Sequence, residues 1–172
     1  LAFEKKYSLQ GRIYIDVGIS GGIQGAEKGP ALMVGNKKNI SKNLYQVLEK
    51  ISAKHHGKPC VGYYENPGNG HFVKMLHNFL EYSEMQLIAE TVNCLSKVYE
   101  SDDNQILDFI NQLLKSDKNS FLLRITKKII QNQLFRESDQ TKNNPIKHNG
   151  TAKWAAQLSL EIETYTPSLF CA

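Results

Sequence analysis

The sequence HFVKMLHNFLEYSEMQLI, residues 71–88, lies between two parts of the chain that differ in their sequence patterns. It contains neither proline nor glycine, and its apolar residues recur at helical spacing, so it predicts a helix that extends to about residue 100. Residues 1–68 instead combine short β-like segments with glycine-rich turns, whereas the residues beyond 100 return to helical spacing. The sequence therefore predicts an α+β chain, with a strand-and-loop part over 1–68 and a mainly helical part over 69–172.

The first part is predicted to contain two strands, over residues 12–17 and 59–64. An amphipathic helix is predicted over residues 39–53, where leucine, valine and isoleucine recur at three- and four-residue intervals. Five glycines lie in residues 18–30, which predicts a tight loop rather than a helix. In the second part, further helices are predicted to begin near Asp102 or Asp103, Ser120 and Thr151, with a polar loop over 137–149.

The composition excludes several classes of protein. With 41% hydrophobic residues, 22% charged residues and a net charge of +4, the chain has enough apolar side chains for a core and is not expected to be disordered. No apolar run approaches the ~18 residues of a membrane span, and the first ten residues lack the apolar core of a signal peptide. Dispersed basic residues argue against nucleic-acid binding, and three well-separated cysteines argue against a metal site. We expect a soluble cytoplasmic protein.

The long helix is predicted to carry a polar stripe. Lys74, His77, Asn78 and Glu81 fall within a sector about 100° wide at 100° per residue, and Lys74 and Glu81 lie about 10 Å apart along the axis. An amine, an amide and a carboxylate in such a line can accept a proton at one end and return one at the other. The same stripe is also typical of the solvated face of an ordinary amphipathic helix.

The glycine-rich segment also has two interpretations. Ser20, Gly21 and Gly22 follow a predicted strand, where glycine permits backbone conformations with positive φ and an ordinary turn would suffice. Alternatively, backbone N–H groups without side chains can approach a carboxylate or a phosphate closely. The segment is not a dinucleotide-binding fingerprint, because the chain contains no GxGxxG sequence.

Three segments together resemble the 6-phosphogluconate dehydrogenase family. They are FVKMLHNFLEYSEMQLI (72–88), SGGIQGAEKGP (20–30) with Leu32-Met33, and GTAKW (150–154) with Gln157. The wider group of β-hydroxyacid dehydrogenases shares the glycine loop and the spacing of a lysine and an asparagine. The pairs His77-Asn78 and Glu81-Tyr82 and the Thr-x-Lys-Trp segment distinguish the phosphogluconate branch.

The resemblance implies oxidative decarboxylation of 6-phosphogluconate to ribulose 5-phosphate with reduction of NADP, a reaction of the pentose phosphate pathway and of gluconate utilization. By that resemblance, Lys74 is the catalytic base at the C3 hydroxyl and Glu81 is the general acid at C1 of the enediol. It also implies a homodimer formed through the helical domain. The choice between NADP and NAD stays open.

The resemblance further assigns substrate contacts to Ser20, Gly21, Gly22, His77, Asn78, Tyr82, Asn149 and Thr151. Asn78 is also expected near the nicotinamide. Asn149 stands where the family has a phosphate-binding lysine, Ala152 replaces a glycine, and Lys28 replaces an aromatic residue.

By the same resemblance, residues 1–68 are the C-terminal part of a Rossmann-like NADP-binding α/β domain, and residues 69–172 begin an all-helical domain. The main coenzyme site is then expected outside the chain, and the isolated chain is expected to have little activity. Two alternatives remain: another β-hydroxyacid dehydrogenase acting on a small acid without phosphate, and a non-catalytic helical dimer module.

Overall fold

The structure is a computed structural model that describes residues 2–132, 150–164 and 166–167. The chain divides into two compact units, Leu1–Asn78 and Phe79–Ala172. Strands occur in the first unit and helices dominate the second, so the predicted α+β class is confirmed. The predicted domain boundary at residue 68 stays a prediction.

The elements of the first unit form a small mixed sheet with helices around it. In chain order they are α1 (Ala2–Ser8), β1 (Val17–Ser20), α2 (Gly22–Lys28), β2 (Ala31–Val34), a 3-10 turn (Lys37–Asn39), α3 (Lys42–Ile51), β3 (Lys54–His55), β4 (Lys58–Pro59), β5 (Val61–Tyr63) and the start of α4 (Asn69–Lys97). The sheet has the order β1-β2-β5, with β1 antiparallel and β5 parallel to β2, and β3 and β4 form a separate two-stranded pair.

The core of the first unit lies between the central strand and one helix. Leu32 and Val34 alternate along β2 and are buried, and Leu48 of α3 packs with them. Helix α3 begins where Ser41 accepts the Leu44 N–H at 3.3 Å, which satisfies one of the amides that lack an intrahelical partner. This helix confirms the one predicted over 39–53, with ends a few residues inside that range.

Two aromatic side chains join α3 to the last strand of the sheet. The rings of Tyr45 and Tyr63 stack with centroids 3.9 Å apart. Burial, followed by the nearby Glu49 carboxylate and Tyr45, raises the pKa of Tyr63 to about 12. The Tyr63 hydroxyl is buried without a hydrogen-bond partner among the described residues.

The glycine-rich segment differs from the prediction. Residues Gly22–Lys28 form a helix, so the prediction of a loop without helix over 18–30 was wrong. Gly21 and Gly22 both have positive φ, at 145° and 55°, and turn the chain out of β1, and Gly29 ends the helix with a φ of 104°. Three of the five glycines therefore lie at the two ends of a short helix, where unusual φ values are needed.

Of the two predicted strands, one is displaced along the sequence and the other is confirmed. The strand predicted over 12–17 is observed at Val17–Ser20, and β5 lies inside the predicted range 59–64. Strand β2, helix α1 and the β3–β4 pair were not predicted. β2 was missed because Ala31–Val34 is too short for an alternating pattern to be visible, although it forms the centre of the sheet.

The second unit contains the remainder of α4 and three further helices: α5 (Asp103–Lys115), α6 (Phe121–Gln131) and α7 (Thr151–Glu161). Ile106, Ile110 and Ile130 form its buried cluster. All the helices predicted after residue 70 are confirmed, whereas the loop predicted over 137–149 lies outside the described residues. Within the described part of the chain, the helices are too short or too polar to cross a membrane.

Candidate functional site

Strand β1 and the first turns of α4 lie in direct backbone contact within the first unit. A Cβ atom built on Gly18 would lie 2.5 Å from the Cβ of Lys74 and 2.7 Å from the carbonyl oxygen of Gly70. A Cβ on Gly70 would collide with the carbonyl oxygen of Met33. Side chains larger than hydrogen are therefore excluded at both glycines, and the helix lies close enough for its side chains to reach the end of β1.

Ser20, the last residue of β1, contacts the helix two turns from its start. Its Oγ lies 2.6 Å from Nε2 of His77, a hydrogen bond in which the imidazole tautomer decides which atom donates. Both side chains are partly buried. The residues lie 57 positions apart in sequence, so the fold brings together two residues that sequence analysis assigned to the same site.

Lys74 and Asn78 lie next to His77 on the same helix. Lys74 Nζ donates a hydrogen bond of 2.6 Å to Asn78 Oδ1, an i to i+4 contact that holds the ammonium along the helix surface. Their side chains are half-buried, whereas Phe72 and Leu76 of the same helix are 42% and 36% exposed. A stripe that is only a solvated face would be the most exposed part of its helix, and this arrangement does not fit that interpretation.

The backbone of the glycine loop borders this group of side chains. Gly21 and Gly22 follow Ser20 directly and are exposed, and a Cβ on Gly21 would lie 2.8 Å from the Cα of Gly25. Gly21 thus has both a backbone conformation and a close contact that require glycine. The loop presents backbone rather than side chains next to the Ser20 hydroxyl, as a site for a carboxylate or a phosphate needs.

The structure does not test the roles predicted for four other residues. Glu81 and Tyr82 are half-buried on α4 in the second unit, and Thr151 is the first residue of α7 in that unit. Asn149 lies outside the described residues. The functions assigned to these four residues therefore stay predictions, as do those assigned to Ser20, Gly21, Gly22, Lys74, His77 and Asn78.

Asp16 is a residue of this region that sequence analysis did not single out. Its carboxylate is 2% exposed and accepts the Gly68 N–H at 2.7 Å and the His71 N–H at 3.0 Å, at the start of α4. A signal was available, because a 29-residue helix needs partners for its first amides. The sequence before α4 did not show that this partner lies more than 50 residues away.

NADP, the coenzyme that the family resemblance implies, fits the described residues only at its nicotinamide end. The half-buried amide of Asn78 has the donor and acceptor chemistry to meet a carboxamide. The chain contains no GxGxxG segment that could hold the pyrophosphate. Over residues 2–132, 150–164 and 166–167, no three His, Cys, Asp or Glu side chains gather into a possible metal site.

A separate apolar groove of about 380 Å³ lies in the second unit, between α4, α5 and α6. Leucine, isoleucine, valine and phenylalanine side chains form most of its lining, with Glu84, Thr91 and Lys118 as the polar members. The groove holds none of the residues assigned to the site from the sequence. It is therefore not the candidate site.

Two protein-family models match the chain. The NAD binding domain of 6-phosphogluconate dehydrogenase matches residues 2–64, and the C-terminal domain of 6-phosphogluconate dehydrogenase matches residues 70–172. Among curated proteins, the decarboxylating 6-phosphogluconate dehydrogenase of Caenorhabditis elegans is 36% identical over 91% of this chain and 33% of its own length. The NADP(+)-dependent, decarboxylating enzyme of Bacillus subtilis is 34% identical over 95% of this chain and 35% of its own length. The chain spans about a third of the length of these curated relatives.

Two solved structures also match the chain over nearly its whole length. The 6-phosphogluconate dehydrogenase of Plasmodium falciparum, determined as the apo form and with NADP+ and with 6-phosphogluconate, matches with a TM-score of 0.82 and 29% identity over 98% of this chain and 37% of its own. A 3-hydroxyisobutyrate dehydrogenase from Salmonella typhimurium matches with a TM-score of 0.65 and 16% identity, over 98% of this chain and 55% of its own. The second likeness shows a shared fold alone.

Proposed function

Because the chain belongs to the 6-phosphogluconate dehydrogenase family, we propose that it forms part of an enzyme that oxidatively decarboxylates 6-phosphogluconate to ribulose 5-phosphate and reduces NADP. The resemblance stated from the sequence is confirmed, and so is the order of a Rossmann-like domain edge followed by a helical domain. The reaction, its substrate, its coenzyme, a homodimer formed through the helical domain and a cytoplasmic location are the content of the proposal.

The observation that carries the proposal is the contact between Ser20 and His77 beside Lys74. A hydroxyl at the end of a strand, an imidazole 2.6 Å from it and a lysine held by Asn78 lie on one side of α4. The exposed glycine backbone after Ser20 borders this group. A sugar acid offers a carboxylate and several hydroxyls, and a group of donors, acceptors and one amine complements that chemistry.

The first step assigned to the chain is the removal of a proton. Lys74 Nζ, in its neutral form, accepts the proton of the C3 hydroxyl, and the hydride on C3 leaves at the same time. Bound NADP supplies the acceptor for that hydride. Asn78 holds Lys74 through its Oδ1 atom, which restricts the position of the amine before it reacts.

The second step is loss of carbon dioxide from the 3-keto acid. The C1–C2 bond breaks, its electrons form the double bond of an enediol, and Lys74 returns its proton to the C3 oxygen. Glu81 then protonates the carbon that carried the carboxylate, and the enediol becomes the ketone ribulose 5-phosphate. Glu81 follows Lys74 by seven residues in the sequence, so acid and base are separate groups and each acts on its own carbon.

The first test is turnover by the protein that carries this chain, measured as NADP reduction and release of carbon dioxide. Lys74→Ala is expected to lower kcat at least about 100-fold, because it removes the group that both accepts and returns a proton. The matched control is Lys97→Ala, an exposed lysine in the last turn of the same helix, which should keep wild-type turnover. More than a tenth of wild-type activity in Lys74→Ala contradicts the assignment.

A second candidate function is oxidation of a small β-hydroxyacid without phosphate. It is favoured by Asn149, which stands where the family resemblance places a phosphate-binding lysine. The two candidates are separated by comparing kcat/KM for 6-phosphogluconate and 3-hydroxyisobutyrate, each with NADP and with NAD. Preference for the small acid replaces the first candidate, and no turnover of either substrate supports the non-catalytic helical module.

A further inference from the structure

We propose that Asp16 is a positioning residue that sets the rotation and the register of α4 on β1, so that Lys74 and His77 lie beside Ser20. The proposal rests on the function proposed above for these residues, although its structural part can be tested without turnover. The Asp16 carboxylate is 2% exposed and has a hydrogen bond on each oxygen. Removing a charged carboxylate from water is unfavourable unless hydrogen-bond donors such as these and the positive end of a helix stabilise it.

Asp16 joins the sheet and the helix through two different groups. Its main-chain oxygen accepts the Gly35 N–H at 2.8 Å, which ties it to the chain that follows β2. Its side chain holds the amides of Gly68 and His71 at the start of α4. A Cβ on Gly35 would collide with the carboxylate, so the side chain is confined on the sheet side as well. The start of α4 is therefore fixed with respect to the sheet at this residue.

The same side of the extended chain meets the helix at three successive positions. Asp16, Gly18 and Ser20 are two residues apart, and in an extended chain such residues point to one side. Asp16 holds the amide of His71, Gly18 contacts Lys74, and Ser20 contacts His77. The helix positions are three residues apart, close to one turn. The three contacts thus form one line along β1 and α4.

This line explains why the start of the helix matters for the site. Moving α4 by one residue rotates its side chains by 100° and shifts them by 1.5 Å. Such a rotation would separate Lys74 from Gly18 and His77 from Ser20. Asp16 opposes it, because its two carboxylate oxygens accept the N–H groups of Gly68 and His71 and such a movement would break both hydrogen bonds. Asparagine cannot replace it, since its NH2 group would face an N–H donor.

The direct test follows the His77 imidazole in the 172-residue chain by 15N NMR, with its signals assigned by their loss in His77→Gln. In Asp16→Asn we expect the Nε2 signal to move to the value of a solvated histidine and the amide protons of Gly68 and His71 to shift upfield. The matched control is Ser41→Ala, which removes the cap of α3 in the same unit and should leave the His77 signals unchanged. Unchanged His77 signals in folded Asp16→Asn overturn the proposal.

A second variant decides the question if Asp16→Asn does not fold. Gly18→Ala keeps the carboxylate but places a methyl group against the Cβ of Lys74, and it should move the His77 signals in the same way. His77 signals at wild-type values in Gly18→Ala would show that the contact with Ser20 does not depend on the register, and the proposal would then be wrong. A loss of thermal stability alone, as in Ser41→Ala, does not produce this signature.

Measurements of kcat/KM test whether Asp16 also affects the proposed reaction. In the protein that carries this chain, Asp16→Asn should lower kcat/KM at least about 10-fold, because small displacements of catalytic groups reduce rates steeply, while Ser41→Ala retains wild-type kcat/KM. If the wild-type protein turns over neither substrate, the proposed function fails, and the His77 signals still decide the role of Asp16. If the wild type is active and Asp16→Asn equals Ser41→Ala, the positioning role fails alone.

Discussion

Helices α4 and α5 both need partners for their first backbone amides, and they obtain them from different distances. The partner of α5 is local, because Asp102 accepts the Gln105 N–H at 2.9 Å and the Gln105 side chain accepts the Asp102 N–H at 2.9 Å. The partner of α4 is Asp16, which reaches its amides across 52 and 55 positions of sequence. Every helix leaves such amides without an intrahelical partner, so the two solutions can be compared directly.

A cap can stabilise its own helix, and it can also fix that helix on another element. The two helix starts differ in the second of these effects. A local cap stabilises its own helix by about 1 kcal/mol and has no influence on what the helix packs against. A distant cap also fixes the helix on another element, here the chain that leads into β1. The residues assigned to the site follow the distant cap on α4, at Lys74, His77 and Asn78.

The largest effect is expected where α4 meets the sheet without side chains between them. Gly70→Ala places a Cβ against the carbonyl oxygen of Met33 and 2.8 Å from the Gly35 nitrogen. Overpacking of this kind costs about 1–3 kcal/mol, and both contacts are with backbone that cannot move aside. We expect the free energy of unfolding of the first unit to fall by about 2–3 kcal/mol, measured by urea denaturation.

The control for Gly70→Ala is Asn93→Ala, an exposed position on the same helix, which should change the free energy of unfolding by less than about 0.5 kcal/mol. Equal values for the two variants would mean that α4 does not depend on its close approach to the sheet. The contrast between local and distant contacts would then lose its structural basis.

The same contrast explains which elements could be predicted from the sequence. Helices α5 and α6 are capped by Asp102 and Ser120, whose side chains accept hydrogen bonds from amides three residues further on, and such local patterns are visible in a sequence. The helix Gly22–Lys28 was missed because glycine content predicts a loop, whereas here Gly21 and Gly29 only end the helix on either side. Which glycines have a special conformation is decided by tertiary contacts, which the sequence does not display.

The candidate site was predictable for a different reason. The spacing of Lys74, His77 and Asn78 places them on one face of any helix, and the family resemblance connected that face with Ser20 before the structure showed the contact with His77. Asp16 could not be found in this way, since an acidic residue before a strand has no pattern that indicates a partner 55 positions later. Local chemistry was therefore visible in the sequence, and the contact that positions it was not.

A smaller effect is expected at the local cap. Asp102→Ala removes the side-chain oxygen that accepts the Gln105 N–H and should lower the free energy of unfolding of the second unit by about 1 kcal/mol. Amide hydrogen exchange in α5 should accelerate, while the 15N signals of His77 remain at wild-type values. Asp108→Ala, at an exposed position within α5, serves as the control and should slow or maintain exchange, because alanine favours helix. Movement of the His77 signals in Asp102→Ala would contradict the distinction between the two kinds of cap.

The smallest effect at neutral pH is expected in the sheet core, at Tyr63. Its hydroxyl is buried without a hydrogen-bond partner among the described residues, so Tyr63→Phe should leave the free energy of unfolding unchanged or raise it by up to about 1 kcal/mol at pH 7.

The pH dependence of the stability at Tyr63 is more informative. The pKa of Tyr63 is raised from 10.0 to about 12 by burial, Glu49 and Tyr45, so between pH 10 and 12 the unfolded chain releases a proton that the folded chain retains. The native state then binds more protons than the unfolded state, and stability falls as the pH rises through this interval. Urea denaturation of the first unit from pH 9 to 12 should therefore show a steeper loss of stability in the wild type than in Tyr63→Phe. Parallel curves for the wild type and Tyr63→Phe would mean that this tyrosine titrates as a solvated one, and that the sheet core which supports β1 is more accessible to water than its packing indicates.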